Sequence, residues 1–236
     1  MGILVAIVVI MCWMIHLVYC LIFLQPDYSS GWMYLHIVAQ AYLYTGLFIT
    51  GHDAMHGLIA KRREVNTVFG WISSMLFAGL SYSRLRKNHY LHHQFPGTEK
   101  DPDFYIKSQN FFIWWFIFLK RYATIGQFLF MAVAYNILKI WAAPPGLIIF
   151  WMLPAVIATF QLFFVGTYLP HRKPHEVYMS PHKARSLKGP HWWAMLSCYF
   201  FGYHWEHHEE PQVPWWQLYQ LKDKGVLKDD DIFKGD

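Results

Sequence analysis

Apolar and polar positions in this chain fall in long blocks and not in the short periods of a soluble fold. From Gly2 to Leu24 there is no charged side chain. A hydrocarbon core of about 30 Å takes about 20 helical residues at 1.5 Å each, so this run is long enough to cross one. It has neither the basic start nor the small-residue cleavage site of a secretory signal, and it is expected to remain in the mature protein. The turn from Gln25 to Gly31 ends the run, and Trp32 to Gly51 is a second charge-free stretch. Tyr122 to Trp141, with Lys139 near its end, and Gly146 to Leu169, with Pro154 as a kink, complete a set of four expected spans: 2–24, 32–51, 122–141 and 146–169.

Three shorter apolar runs, Val68 to Leu80, Phe111 to Leu119 and Trp192 to Tyr203, are too short to cross, and the first is flanked by basic residues on both sides. They read as interfacial or buried helices under a membrane-facing cap. The two turns joining the spans carry no Lys or Arg, and of the 20 basic residues all but Lys139 fall in the other segments. By the positive-inside rule those segments, and with them both termini, are expected on the cytoplasmic side. No repeat, linker or low-complexity tract divides the chain, so residues 1–236 are read as one all-α integral-membrane domain.

Composition narrows this further. With 55% hydrophobic and 15% charged residues, the chain is the reverse of a disordered one, and three cysteines without C-x-x-C spacing exclude a disulfide scaffold or a zinc knuckle. The net charge of +5 comes in short clusters beside apolar segments, which fits a membrane surface and not nucleic acid. The paired tryptophans 114–115, 192–193 and 215–216 read as interfacial anchors.

Histidine is the informative excess, with 14 residues and a patterned placement: His52 and His56; His89, His92 and His93; His204, His207 and His208. On a helix, positions i, i+3 and i+4 share a face, so each box aims two or three imidazoles at one point. All three boxes lie on the side assigned to the cytoplasm. Eight imidazoles exceed the four ligands of one zinc and are the wrong donors for calcium, so a two-metal site fits the number. Imidazole alone does not choose between Fe, Cu, Ni and Zn. His171, at the cytoplasmic end of the fourth span, is a ninth candidate ligand. His16, His36, His175, His182 and His191 read as hydrogen-bonded packing or surface residues. Asp53, Asn88, Glu99, Asp101, Asp103, Glu206, Glu209 and Glu210 are placed to orient imidazoles, and of these Asp53, between two ligands at the end of a span, is favoured.

Four blocks together carry a resemblance: GHDAMHG at 51–57, KNHYLHH at 87–93 with GTEKDPD at 97–103, GTYLPHR at 166–172, and HWEHH at 204–208 with Pro211 and Pro214-Trp215-Trp216. The boxes resemble those of the integral-membrane fatty-acid desaturase and hydroxylase superfamily, and their flanking residues are similar to those of the bacterial β-carotene ketolases. The resemblance covers roughly residues 45 to 220. It implies a di-iron centre with the nine histidines 52, 56, 89, 92, 93, 171, 204, 207 and 208 as ligands, O2 as co-substrate and an external electron donor such as reduced ferredoxin. It further implies a carotenoid drawn from the bilayer of a bacterial inner membrane, oxidised at C4 of its β-ionone rings. Two alternatives stay open: a fatty-acyl desaturase or hydroxylase, or a carotenoid ring hydroxylase, of the same superfamily. A non-enzymatic membrane site that binds or transports divalent ions is a third, although transport usually places ionisable groups at mid-depth.

Overall fold

The computed structural model describes residues 1–225 and is helical throughout, with no strand among them. The last 11 residues of the expected 1–236 domain lie outside the described ones. The chain forms two compact units, residues 1–82 with 123–160, and residues 83–122 with the segment from Gln161 onward.

In the first unit, α1 (Gly2–Phe23) buries Ala6, Val9, Trp13, Leu17 and Cys20, a stripe at three- and four-residue intervals. Its other face exposes Leu4, Ile7, Val8, Met11 and Ile15, the surface expected of a helix in lipid. The stripe packs on α2 (Gly31–Met55), with Trp13 edge-on to Tyr44 at 5.3 Å between ring centroids. α3 (Arg63–Ala78) packs on the later part of α2, where Gly51 lies against Ser73 and Ser74. Small residues at that contact let the backbones approach closely. Between α2 and α3 the buried Asn66 side chain holds the loop, its amide donating to the Ala60 and Arg62 carbonyls and its oxygen accepting from the Ile59 and Ala60 amides. α6 (Ile125–Leu138) closes the unit's α-helices before the last long one, and the Phe130 ring lies where a Cβ on Gly79 would stand.

The expected span 122–141 is not one helix. α5 (Phe111–Tyr122) stops, and the Thr124 hydroxyl accepts the Gln127 amide (3.0 Å), so α6 starts afresh and runs only 14 residues. At about 21 Å it is too short to cross alone. Lys120 and Arg121 mark the end of α5 in the sequence, and the new start at Thr124 together with the end at Leu138 leaves the expected span six residues short.

The last long helix, α7 (Pro144–His171), is 28 residues and contains two π-helical stretches, Leu147–Met152 and Phe164–Tyr168. Each ends just before a proline turn, at Pro154 and Pro170, whose missing N–H and ring both disturb the normal ladder. The kink expected at Pro154 therefore takes the form of a widened turn. Among the described residues, α1 and α7 are the two helices long and apolar enough to cross a membrane, or three spans if α5 and α6 count as one. α2 is long enough at 25 residues but is more polar, with His36, Gln40, His52 and Asp53 along it.

The second unit holds α4 (Tyr82–Gln94) from Ser83 on, α5, the end of α7, α8 (His191–Cys198), α9 (His204–Glu209) and α10 (Leu218–Asp223). The short apolar runs expected as non-crossing helices lie on α3, α5 and α8. An aromatic cluster of Phe104, Trp114 and Phe163 forms one core, and Ala194, Tyr203, Leu218 and Leu221 form another. Tyr199 and Phe200, both in the left-handed backbone region, turn the chain between α8 and α9. The ring of Phe201 then packs onto Gly166, where a Cβ would stand 2.7 Å from it. That contact seats α9 against the end of α7.

Candidate metal centre

The second unit gathers seven histidines. On α4, His92 turns away from the i, i+4 pair His89 and His93. On α9, His207 turns away from the i, i+4 pair His204 and His208. The side chains then sort by face: His92, His171, His204 and His208 offer ring nitrogens all within 4.8 Å of one another, and all four are buried. His89, His93 and His207 converge likewise, with His93 Nε2 3.0 Å from His207 Nε2. In the first unit His52 and His56, one helical turn apart on α2, have ring centroids 4.9 Å apart.

The four-histidine set passes a simple test of fit to a metal ion. His171 Nδ1 lies 3.0 Å from the Lys183 carbonyl oxygen, which can only accept, so its proton sits on Nδ1 and its Nε2 presents a lone pair. That Nε2 is buried without a hydrogen-bond partner. His92 Nδ1 likewise donates to both carboxylate oxygens of Asp101 at 3.0 Å, which leaves His92 Nε2 facing the others. His208 Nε2 lies 3.1 Å from His92 Nε2 and 3.1 Å from His204 Nε2. Two nitrogens bound about 2.1 Å from one ion at right or tetrahedral angles lie about 3.0–3.4 Å apart. These spacings match those of ring nitrogens around one cation. The chemistry of the donors therefore fits a metal bound by imidazole.

Asp101 is the outer support of this set. It is 1% exposed, and besides His92 it accepts the Gly97 amide and the Asp103 amide, each at 2.8 Å. Gly97 has φ +63°, in the region that favours glycine, and a Cβ there would meet His175 Cε1 at 3.0 Å. Burial opposes charge on His92, yet the charge and hydrogen bond of Asp101, with Asp103 further off, push its pKa up to about 9. A cation at Nε2 is favoured by the same carboxylate that favours a proton there. Burial raises and His92 lowers the pKa of Asp101, and the balance is downward, keeping it ionised. Burial, together with His93, His204, His92 and His171 around it, drives the His208 pKa well below its usual value, which keeps the ring in its neutral, ligating form.

Asp103, next to this network, has its carboxyl pKa raised to about 6, chiefly by burial. It accepts a hydrogen bond from the Tyr122 hydroxyl, while Trp114 Nε1 donates to the Asp103 carbonyl at 2.7 Å. Arg121 ties down the Pro102 and Phe104 carbonyls on either side. Glu206, inside the third box and fully buried, accepts from the Ser186 hydroxyl (2.8 Å) and pairs with Lys222 Nζ (3.5 Å). Glu209 pairs with His182 (2.7 Å).

Asp53, favoured from its place in the sequence, is buried, but its Oδ1 lies 3.5 Å from His52 Nδ1. Asp101 at 3.0 Å is the better-seated partner of an imidazole. Sequence reasoning weighed Asp101 without favouring it, since nothing in GTEKDPD says that its loop folds back onto His92. The Lys183 carbonyl behind His171 and the His175 ring, whose Nε2 donates to the His171 carbonyl at 2.9 Å, had no sequence signal at all.

Comparison with known proteins follows from the same segments. The fatty acid desaturase family model matches residues 29–139 and 120–231. The chain belongs to the fatty acid desaturase family. Among curated relatives of this family member are a zeaxanthin 4-ketolase of Chlamydomonas reinhardtii, 38% identical over 231 residues, and a beta-carotene ketolase of Haematococcus lacustris, 39% identical over 197 residues. These matches cover 92% and 78% of this chain, which spans 52% and 61% of the length of those two relatives. A beta-carotene ketolase of Paracoccus sp. (strain N81106 / MBIC 01143) is 34% identical over 220 residues, covering 92% of this chain and 90% of the relative. No solved structure matches the chain.

Proposed function

We propose that this desaturase-family protein is a membrane-bound oxidoreductase, a carotenoid ketolase that converts the C4 methylene of β-ionone rings to a ketone. The observation that carries the reading is the buried convergence of His92, His171, His204 and His208, taken together with relatives named as ketolases. Each of two rounds consumes one O2, two electrons and two protons, inserts one oxygen atom into a C4–H bond and releases one water. The resulting geminal diol loses a further water to leave the carbonyl.

Two iron ions held by the nine histidines 52, 56, 89, 92, 93, 171, 204, 207 and 208 would supply the O2 activation and C–H oxidation. The protein's own residues do the rest. His92 and His171 are oriented through Nδ1 by Asp101 and the Lys183 carbonyl, which leaves Nε2 of each directed inward and available to a cation. We assign Asp53 the matching role beside His52. Burial of these rings keeps bulk water from the oxidising site. Apolar outer faces such as that of α1 hold the protein in the bilayer, where a long polyene resides. The placement is in a bacterial inner membrane, with α1, α2, α7 and the broken pair α5 and α6 as four membrane segments and with the boxes and both termini on the cytoplasmic side, as the charge distribution favours. The sequence carries no dinucleotide fingerprint or haem-attachment motif, so electrons would come from a separate carrier such as reduced ferredoxin. The exposed basic residues Lys61, Arg62, Arg63, Arg84 and Lys87 would offer an acidic carrier its docking charge.

The test is expression in a β-carotene-accumulating bacterium followed by pigment analysis. Echinenone and canthaxanthin are expected. Unchanged β-carotene, with the protein folded in the membrane fraction, would overturn the reading. The family match itself favours a second reading, oxidation of a fatty-acyl chain. An altered double-bond or hydroxyl pattern in the lipids of the same cells, with the pigment untouched, would establish that reading instead.

A further inference from the structure

We propose that Arg121 is a positioning residue of the metal centre: with Trp114 and Tyr122 on the same face of α5, it holds residues 102–104 so that Asp101 keeps His92 aimed inward. The proposal rests on His92 being a metal ligand and not on the nature of the substrate.

Helical spacing sets the face. At 3.6 residues per turn, Trp114, Phe118, Arg121 and Tyr122 fall within about 100° of one another around α5, and Phe112 and Phe116 fall on the other side. Trp114 and Tyr122 are buried, whereas Phe112 and Phe116 are exposed, as a lipid contact would be. Lys120, one step before Arg121, is exposed as well. Two adjacent basic residues that charge pattern alone reads alike therefore have different roles.

The polar groups of the inner face converge on one short stretch of loop. One guanidinium nitrogen of Arg121 donates to the Pro102 carbonyl at 2.6 Å and to the Phe104 carbonyl at 2.8 Å. Trp114 Nε1 donates to the Asp103 carbonyl between them at 2.7 Å, and the Tyr122 hydroxyl donates to the Asp103 carboxylate. Asn88, next to His89 on α4, donates to that same hydroxyl. A loop has no ladder to satisfy its carbonyls, and these side chains stand in for one.

Asp101 passes the position of the loop to the ring. Its carboxylate accepts the Asp103 amide at 2.8 Å and meets His92 Nδ1 with both oxygens at 3.0 Å, so a shift of residue 103 is felt at His92. The planar guanidinium fixes two carbonyls in one geometry, which a flexible ammonium does not. Ring packing of Phe104 on Trp114, at 5.1 Å between centroids, does not involve Arg121 and would survive its replacement.

The test uses the full-length protein in detergent micelles, with Arg121→Met and Arg121→Lys made alone and together with Asp101→Asn. Iron retention is read by chelator competition. Arg121→Met should weaken it about 3–10-fold, less than Asp101→Asn does, and Arg121→Lys should fall between Arg121→Met and the wild type. Because Arg121 acts through Asp101, each double variant should retain iron as Asp101→Asn alone does. In metal-free protein, the low-field proton resonance of His92 Nδ1–H, identified by its displacement in Asp101→Asn, should also move or broaden in Arg121→Met. A residue that only stabilises the fold would lower the melting temperature and leave that resonance in place. Wild-type retention with an unmoved resonance in folded Arg121→Met would overturn the proposal, and so would losses that multiply in the double variants. Should Arg121→Met fail to fold, Arg121→Lys decides by the same two readings. Unchanged retention in Asp101→Asn would overturn the ligand reading of His92, and the proposal with it.

Discussion

In the second unit, His92, His171, His204 and His208 come from three separate stretches of chain, and two of them have Nδ1 fixed by an acceptor from yet another segment. In the first unit, His52 and His56 come from neighbouring turns of one helix, and the carboxylate beside them is the next residue in the chain. Convergence of the rings thus depends on loops in one unit and on a single helix in the other. A pair on one helix needs only helical spacing to converge. The four-histidine set needs the Gly97–Asp103 loop and the Lys183 segment to be folded correctly behind it, since those supply the groups that decide which nitrogen of each ring is bare.

The most severe way to break this comparison is to remove a ring from the four-histidine set. His204→Ala or His171→Ala should lower bound iron, measured by elemental analysis of purified protein, and reduce ketone formation by more than the roughly 10–100-fold that loss of an outer partner costs. Next comes the outer partner itself. Asp101→Asn should weaken iron retention or activity about 10–100-fold, and Asp53→Asn by less, because its contact is longer. Equal losses, measured by chelator competition, would show that the two carboxylates do the same work.

Packing offers a smaller contrast. A Cβ on Gly70 would stand 2.2 Å from the Tyr82 ring in the first unit, and one on Gly166 2.7 Å from the Phe201 ring in the second. Each alanine variant should lose about 1–3 kcal/mol of stability, with Gly70→Ala the more damaged. Thermal melting in detergent checks the order. If Gly166→Ala also releases iron while Gly70→Ala does not, the seat of α9 is shown to serve the histidines.

Proton linkage gives a further handle. His92 stands near 9 in the folded chain against 6.5 for its ordinary value, so its pairing with Asp101 stabilises the metal-free fold fully below about pH 6.5. That contribution is lost as pH rises through about 9. The melting temperature of metal-free protein should therefore fall across this window, and Asp101→Asn should flatten the fall. The smallest effect is expected at His182, whose pair with the half-exposed Glu209 is worth about 0–1 kcal/mol. His182→Ala should leave iron content unchanged.

Particular elements mark how far the sequence could be read. The apolar run 2–24 appears as α1 almost residue for residue, because a charge-free stretch of that length has little alternative to a helix. The run 122–141 keeps only 125–138 as a helix, because the Thr124 cap sets its start and the chain turns at Lys139, neither of which interrupts the apolar composition. The convergence of imidazoles along each box was legible from its i, i+3 and i+4 spacing. Their division was not legible: His92 parts from His89 and His93, and His207 from His204 and His208, according to which neighbour each face meets.

The order of residues by itself determined the helical class, the long apolar blocks and the identity of the side chains that face one another along each helix. These are local properties, fixed by 3.6 residues per turn and by the need to satisfy backbone hydrogen bonds within an apolar segment. The folded chain alone sets Asp101 and the Lys183 carbonyl behind His92 and His171, and His36 against His16. Such partners are distant in sequence, and the energy of a hydrogen bond or a metal bond depends on where the chain brings them, not on how far apart they are written.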